Sequence, residues 1–150
     1  MDNSHVPFRL SDEQLQQQLK QFNARSEVRW FGFLGALHYP STVLITLANV
    51  GVGMLGGGGT VAINGGIIAA GFDAAFVLAG LTQYESDVVV TLELSIKFLS
   101  LARVDKPLAF AASVVRSSRR FSFVQGLLGP QDALSGSAFA TASGMVAPGA

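Results

Sequence analysis

I-I-A-A-G-F-D-A-A-F-V-L-A-G-L, residues 67–81, is the longest apolar run in the chain that fits a helix. Small or apolar residues occupy almost every side of it, which predicts a helix buried almost all round. The next segment has a different period. Val88, Val90, Leu92, Leu94, Ile96 and Phe98 alternate with Thr91, Glu93, Ser95 and Lys97, which predicts a strand with its apolar face on the core. Leu108 to Arg116 and Arg119 to Leu128 flank Ser117-Ser118 as a hairpin, and Ser137 to Val146 supplies a last strand. Ala147 to Ala150 is expected to fray. A buried helix followed by a meander implies one antiparallel sheet wrapped about that helix, an α+β domain.

Upstream of the helix, Gly65-Gly66 is a start signal, Thr60 to Ile63 a short extended piece and Thr42 to Val50 a strand rich in β-branched residues, with a Gly-rich loop between the last two. Ser11 to Ala24 reads as an amphipathic helix, with Ser11 as its cap, Gln14 completing a capping box and Leu15, Leu19 and Phe22 on one face. Trp30, Phe31, Phe33, Leu34 and Leu37 recur at helical spacing, and Tyr39-Pro40-Ser41 ends that element. The expected division is therefore a helical extension over 1–40, lid-like, and a main domain over 41–150. No internal repeat is visible.

The chain has 150 residues, 49% hydrophobic and 13% charged, which excludes a disordered chain and suits one compact domain. A globule of this length buries roughly 68–70% of the surface its unfolded chain exposes. It has no cysteine, so no disulfide contributes, and the reading is cytoplasmic. Ten basic against ten acidic residues lack the footprint of a nucleic-acid binder. From Trp30 to Phe72 there is no Asp, Glu, Lys or Arg, yet Thr42, Thr46, Asn49, Gly56–Gly59 and Asn64 interrupt the stretch before the roughly 20 apolar residues a spanning helix needs. Met1 to Leu10 lacks the layout of a secretory signal. A soluble protein without membrane or nucleic-acid partners is expected.

Asp73 is the only charged residue between Arg29 and Glu85 and falls in the middle of the predicted helix. An acid placed where burial is expected marks a candidate site, unless it is solvated or paired with Arg103 or Arg116. Asn64-Gly65-Gly66 precedes the same helix. Glycines at a helix start let a ligand approach unpaired N–H groups, which suits a polarised carbonyl, although they also simply permit a tight turn. Other patterns fail on context. Gly51 to Gly56 spells G-x-G-x-x-G but is followed by more glycines rather than by a helix, and no Gly-Lys-Ser/Thr makes a phosphate loop. With His5 and His38 as the only histidines, a histidine triad or zinc site has little to be built from, so neither metal nor cofactor is expected. His38-Tyr39-Pro40 lacks the continuation and the glutamate that a carrier-protein dehydratase would need.

The stretch A-I-N-G-G-I-I-A-A-G-F-D-A-A-F-V-L-A-G, residues 62–80, resembles the H-G-G-x(6)-D helix of the hotdog-fold thioesterases of the PaaI-like group. V-V-V-T-L-E-L-S-I-K-F-L-S-L-A is similar to the strand that follows in that group, V-V-R-S-S-R-R-F to its hairpin and A-F-A-T-A-S-G-M-V to its closing strand. The resemblance covers about 42–146. It implies a curved antiparallel sheet around a central helix, a homodimer joined sheet edge to sheet edge or a homotetramer, and a site at the dimer interface. It further implies an acyl-CoA substrate, Asp73 as general base or nucleophile, the Gly65 N–H polarising the thioester carbonyl beside Gly66, and the Thr91 hydroxyl orienting water or the acid. Arg116, Arg119 and Arg120 would meet the nucleotide phosphates, with Arg103 and Lys106 nearby, unless they form only a solvated basic rim.

Two positions depart from the pattern. Asn64 stands where the group has histidine, and Gly58 where an Asn or Gln commonly positions water. The expected activity is hydrolysis of acyl-CoA thioesters, with Asn64 as a further candidate for holding the water. The alternatives are a non-catalytic acyl-CoA binding protein and a hotdog hydratase or dehydratase, the latter needing a histidine that this helix lacks. Ala69, Ala70, Gly71, Ala74 and Ala75 would leave room for an acyl or aryl group, or serve tight packing alone.

Overall fold

The computed structural model describes residues 5–47, 49–56 and 61–149. In chain order the elements are α1 (Asp12–Ala24), α2 (Ser26–Phe31), β1 (Phe33–His38), β2 (Thr42–Leu47), β3 (Leu55–Gly56), β4 (Ala62–Ile63), α3 (Gly65–Leu81), β5 (Val89–Phe98), β6 (Leu108–Ser117), β7 (Ser122–Pro130) and β8 (Ala140–Pro148). Six strands form one antiparallel sheet in the order β1-β2-β6-β7-β8-β5, and β3 and β4 form a separate pair. The long helix α3 packs on the large sheet, as its apolar composition requires.

Aromatic rings and small residues alternate in the core to bring α3 close to the strands. Phe72, Phe76 and Phe110 are fully buried, and the rings of Phe72 and Phe110 meet edge to face at 5.1 Å. Gly71 faces Phe110 so closely that a Cβ there would fall on the ring. Gly71→Ala is therefore expected to destabilise the fold by roughly 1–3 kcal/mol through overpacking, read as a lowered urea midpoint at unchanged m-value.

The N-terminal helices are tied to this core at both ends. Ser11 caps α1 and Gln14 completes the capping box. Gln18 is buried, and its Nε2 donates to the carbonyls of Leu81, Tyr84 and Ser86 at 3.3, 2.9 and 2.9 Å. These acceptors lie at and just beyond the C-terminus of α3, where helix carbonyls lack partners of their own. Further along α1, Asn23 exchanges two hydrogen bonds with the backbone of Gly35 on β1, at 3.1 and 2.8 Å.

Several local elements differ from those expected. The apolar cluster after Arg29 is not one helix: α2 stops at Gly32, whose φ of 74° is the left-handed conformation that glycine adopts without a Cβ penalty, and the chain continues as β1. Short apolar runs fit both periods, and here Phe33 and Gly35 are buried while Leu34 is exposed. β1 pairs along its length with β2, so the sheet continues N-terminal to residue 40. The β6–β7 turn spans 118–121, wider than Ser117-Ser118, so Arg119 and Arg120 lie in the turn. Ala147 and Pro148 belong to β8, and the Gly149 N–H bonds the Val88 carbonyl at 2.7 Å, so the chain is paired well into the expected frayed tail.

Two corrections bear on the site. First, α3 is not buried all round, because Asp73 is exposed and Ala70, Ala74 and Val77 beside it are half-buried. Second, the alternation of β5 is broken by a bulge between Thr91 and Glu93. Val89 is buried and Leu94 and Ile96 pack on the core, whereas Val88, Val90, Leu92 and Phe98 are exposed.

Candidate active site

Asn64 sets the start of α3. Its Oδ1 accepts from the Ile67 N–H at 2.9 Å, and its Nδ2 donates to the carbonyls of Gly53 and Leu55 at 3.1 and 3.4 Å. The preceding loop runs Gly51 to Gly56 through a short 3-10 turn into β3, which explains why the G-x-G-x-x-G spelling opens no helix. Gly56 lies against Asn64, with a Cβ there only 2.6 Å from the Asn64 Cβ. The Asn64 side chain is thus committed to holding the helix start. No acceptor among the described residues meets the N–H groups of Gly65 and Gly66, both of which are exposed. That leaves two donors at the positive end of a 17-residue helix.

Two turns further on, Asp73 sits on the open face of α3. The Thr91 hydroxyl donates to Asp73 Oδ1 at 2.6 Å, a short charge-assisted bond. Neither Arg103 nor Arg116 pairs with it; Thr91 is its partner among the described residues. A cavity of about 240 Å³ opens beside this carboxylate, walled by Phe22, Val28, Phe31 and Phe33 from the N-terminal elements and by Ala70, Ala74 and Val77 from α3. Arg25 and Glu27 also line it, and the Arg25 guanidinium donates to the Asp87 carbonyl at 2.8 Å. Phe31 stacks on Phe33 with ring centroids 5.0 Å apart, which stiffens one wall.

The structure therefore joins Asp73 to Thr91 and places Gly65 and Gly66 at the helix start, but it does not gather all the candidates. Gly65 and Asp73 are eight residues apart on one helix. That is roughly 12 Å of rise, so one chain does not bring both to one carbonyl. Arg116, Arg119 and Arg120 are exposed and line no part of the Asp73 cavity; Arg116 flanks a groove with Glu93, Phe123 and Ser143. Gly58 lies outside the described residues. Residues not singled out by the sequence also meet the site: the exposed Phe98 ring lies 3.5 Å from the Cβ position of Gly65, and Val28 and Phe31 line the same cavity as Asp73 from another element. No spacing rule links those positions to Asp73, since their meeting depends on the α1–α2 corner. Among the described residues no three metal-ligating side chains cluster, and no helix is long and apolar enough to cross a membrane.

Residues 62–129, from β4 through most of β7, match the family described as the Thioesterase superfamily. A thioesterase family protein from Silicibacter pomeroyi superposes with a TM-score of 0.73 at 20% identity, over 89% of this chain and 96% of that one. The E. coli PaaI protein from the phenylacetic acid degradation operon gives 0.75 at 16% identity, over 92% and 95%. Zebrafish thioesterase superfamily member 2 gives 0.71 at 16% identity, over 94% and 100%. At such identities the likeness is one of fold. No curated protein matches the sequence.

Proposed function

We propose, from its hotdog fold, similar to that of the PaaI-like group, and from the match of residues 62–129 to the Thioesterase superfamily, that the chain hydrolyses acyl-CoA thioesters to the free acid and CoA. The observation that carries this reading is the Asp73 carboxylate, held by the Thr91 hydroxyl and lining a cavity walled mainly by apolar side chains, on the same helix whose start presents unpaired N–H groups. In this reading the Gly65 N–H, with Gly66 leaving room for the approach, polarises the thioester carbonyl of a substrate shared with a second copy of the chain. The partner copy then supplies the carboxylate, because the helix rise keeps Asp73 and Gly65 of one copy apart. As general base, Asp73 takes a proton from water while the water oxygen attacks the carbonyl carbon; the C–S bond then breaks and the thiolate leaves as CoA. As nucleophile, it would form the acyl bond itself and water would release the acid. The assembly is a homodimer or homotetramer in the cytoplasm. Arg116, Arg119 and Arg120, exposed at one hairpin end, would attract the CoA phosphates by charge.

The acyl group goes to the cavity beside Asp73, which also suggests its size. A cavity of 150 Å³ holds a benzene ring. The ≈ 240 Å³ here suits a short acyl chain or a single aromatic ring. Thiol release from a panel of acyl-CoAs is the test: short and single-ring acyl groups are expected to exceed chains of about twelve carbons by roughly tenfold or more in kcat/KM. Equal turnover across the panel would sink the cavity assignment, and no release from any member would sink the hydrolase. One observation favours a second reading, acyl-CoA binding without turnover. The Asn64 amide is used up at the helix start, so it does not replace the water-holding side chain missing at Gly58. Saturable binding without thiol release would establish that alternative.

A further inference from the structure

The bond between Thr91 and Asp73 depends on a local irregularity of the sheet. From Leu94↔Gly144 to Phe98↔Ala140 the β5–β8 ladder is regular, and on β8 the residues Ala140, Ala142, Gly144 and Val146 are buried on the α3 side. Continued without a break, that register would set Leu92 opposite Val146 and turn Thr91 to the outer face, because side chains alternate. Instead one extra residue is accommodated: Thr91 stands opposite Val146 and Glu93 opposite Met145, and Thr91 faces α3. The bulge carries the Glu93 carbonyl into the space over Gly144. A Cβ at Gly144 would fall on that carbonyl oxygen, with the Glu93 carbonyl carbon and the Phe76 ring each 3.1 Å away. Backbone on one side and a fully buried ring on the other leave no flexible group to yield.

We infer that Gly144 is a positioning residue: its missing side chain admits the β5 bulge that turns the Thr91 hydroxyl onto the Asp73 carboxylate. This rests on the reading of Asp73 as the reacting group. It assigns β8, which contributes no side chain to the site, a part in the reaction. It also gives the glycine a reason beyond the packing that accounts for Gly71.

The test compares wild type, Thr91→Val, Gly144→Ala and the double variant. Gly144→Ala is expected to lower kcat by the same factor as Thr91→Val, roughly 10- to 100-fold for a lost bond to a charged group, with KM within about twofold. The double variant should be no worse than either single one, since both remove the same contact, and Thr91→Ser should recover most of the rate. Independent, multiplying losses would overturn the inference. Crystal structures of the single variants add a readout that needs no turnover: Gly144→Ala should separate the residue 91 hydroxyl from the Asp73 carboxylate, and an unchanged bond would overturn the proposal. If Gly144→Ala does not fold, it is placed in a chain lacking Leu92, where the ladder closes without a bulge and Thr91 stays opposite Val146. Folding there is expected, and failure there too would refute the role of the bulge. An inactive wild type would remove the proposed hydrolysis, while the crystal distances would still decide the part played by Gly144.

Discussion

Replacing Gly65 with proline should lower kcat for thioester hydrolysis by roughly 100- to 1,000-fold, the usual cost of removing one donor from an oxyanion site. The substitution removes the N–H and little else. Gly65 is the first residue of α3, the helical position where proline is tolerated because its N–H would lack an intrahelical acceptor in any case. Asn64 before it has φ −78° and ψ 162°, the extended conformation that a residue preceding proline prefers. A Cβ added at Gly65 meets only the Phe98 side chain, at a van der Waals distance of 3.5 Å. Helical circular dichroism and unfolding midpoint should therefore stay near wild type. Gly65→Ala keeps the N–H and serves as the matched control, with activity within a few-fold. Equal activity in the proline and alanine variants would remove the Gly65 N–H from the mechanism.

Asp73→Asn is the second large effect, a loss of roughly 100- to 10,000-fold in kcat, the range expected when a general base is removed. Asparagine has nearly the same shape and keeps a carbonyl oxygen to accept from the Thr91 hydroxyl, so the geometry at 2.6 Å has reason to persist. It cannot take a proton from water, nor act as a carboxylate nucleophile. Because Asp73 is exposed, the substitution should leave stability within about 0.5 kcal/mol. Free-thiol release with matched enzyme concentrations checks the rate, and urea unfolding checks the fold. Release as fast as wild type would leave the carboxylate without a catalytic part.

The helix and the carboxylate were legible because few alternatives fit them. A fifteen-residue run over 67–81 with one acid in it has no reasonable strand reading, and Ser11 with Gln14 is a local capping pattern that needs no tertiary information. The open face of α3 was not legible. Composition alone suggested enclosure, whereas a curved sheet covers one side and the α1–α2 corner leaves a gap over Asp73. Nor was β1 legible, since Phe33 to His38 satisfies helical and strand spacing alike and only pairing with β2 decides between them. The bulge at Leu92 escaped for a related reason: from Val90 to Phe98 the sequence alternates without a break, and Val89, the apolar residue out of step, does not by itself say where the extra residue lies. A side chain missing at Gly144 leaves no mark on the strand it faces.

The grip of Gln18 on the end of α3 has a consequence for how substrate is received. Its Nε2 joins α1 to the carbonyls of Leu81, Tyr84 and Ser86, while Asn23 joins the same helix to β1. Swinging α1 away would strand those carbonyls in a partly dry setting, each at the cost of a lost partner. The aromatic wall over Asp73 is thus a fixed socket rather than a door, and an acyl group entering it orders little that was loose before. Such preorganisation keeps the entropic penalty of association small, so the fit of the acyl group is judged by a rigid shape and not by a segment that folds around whatever arrives.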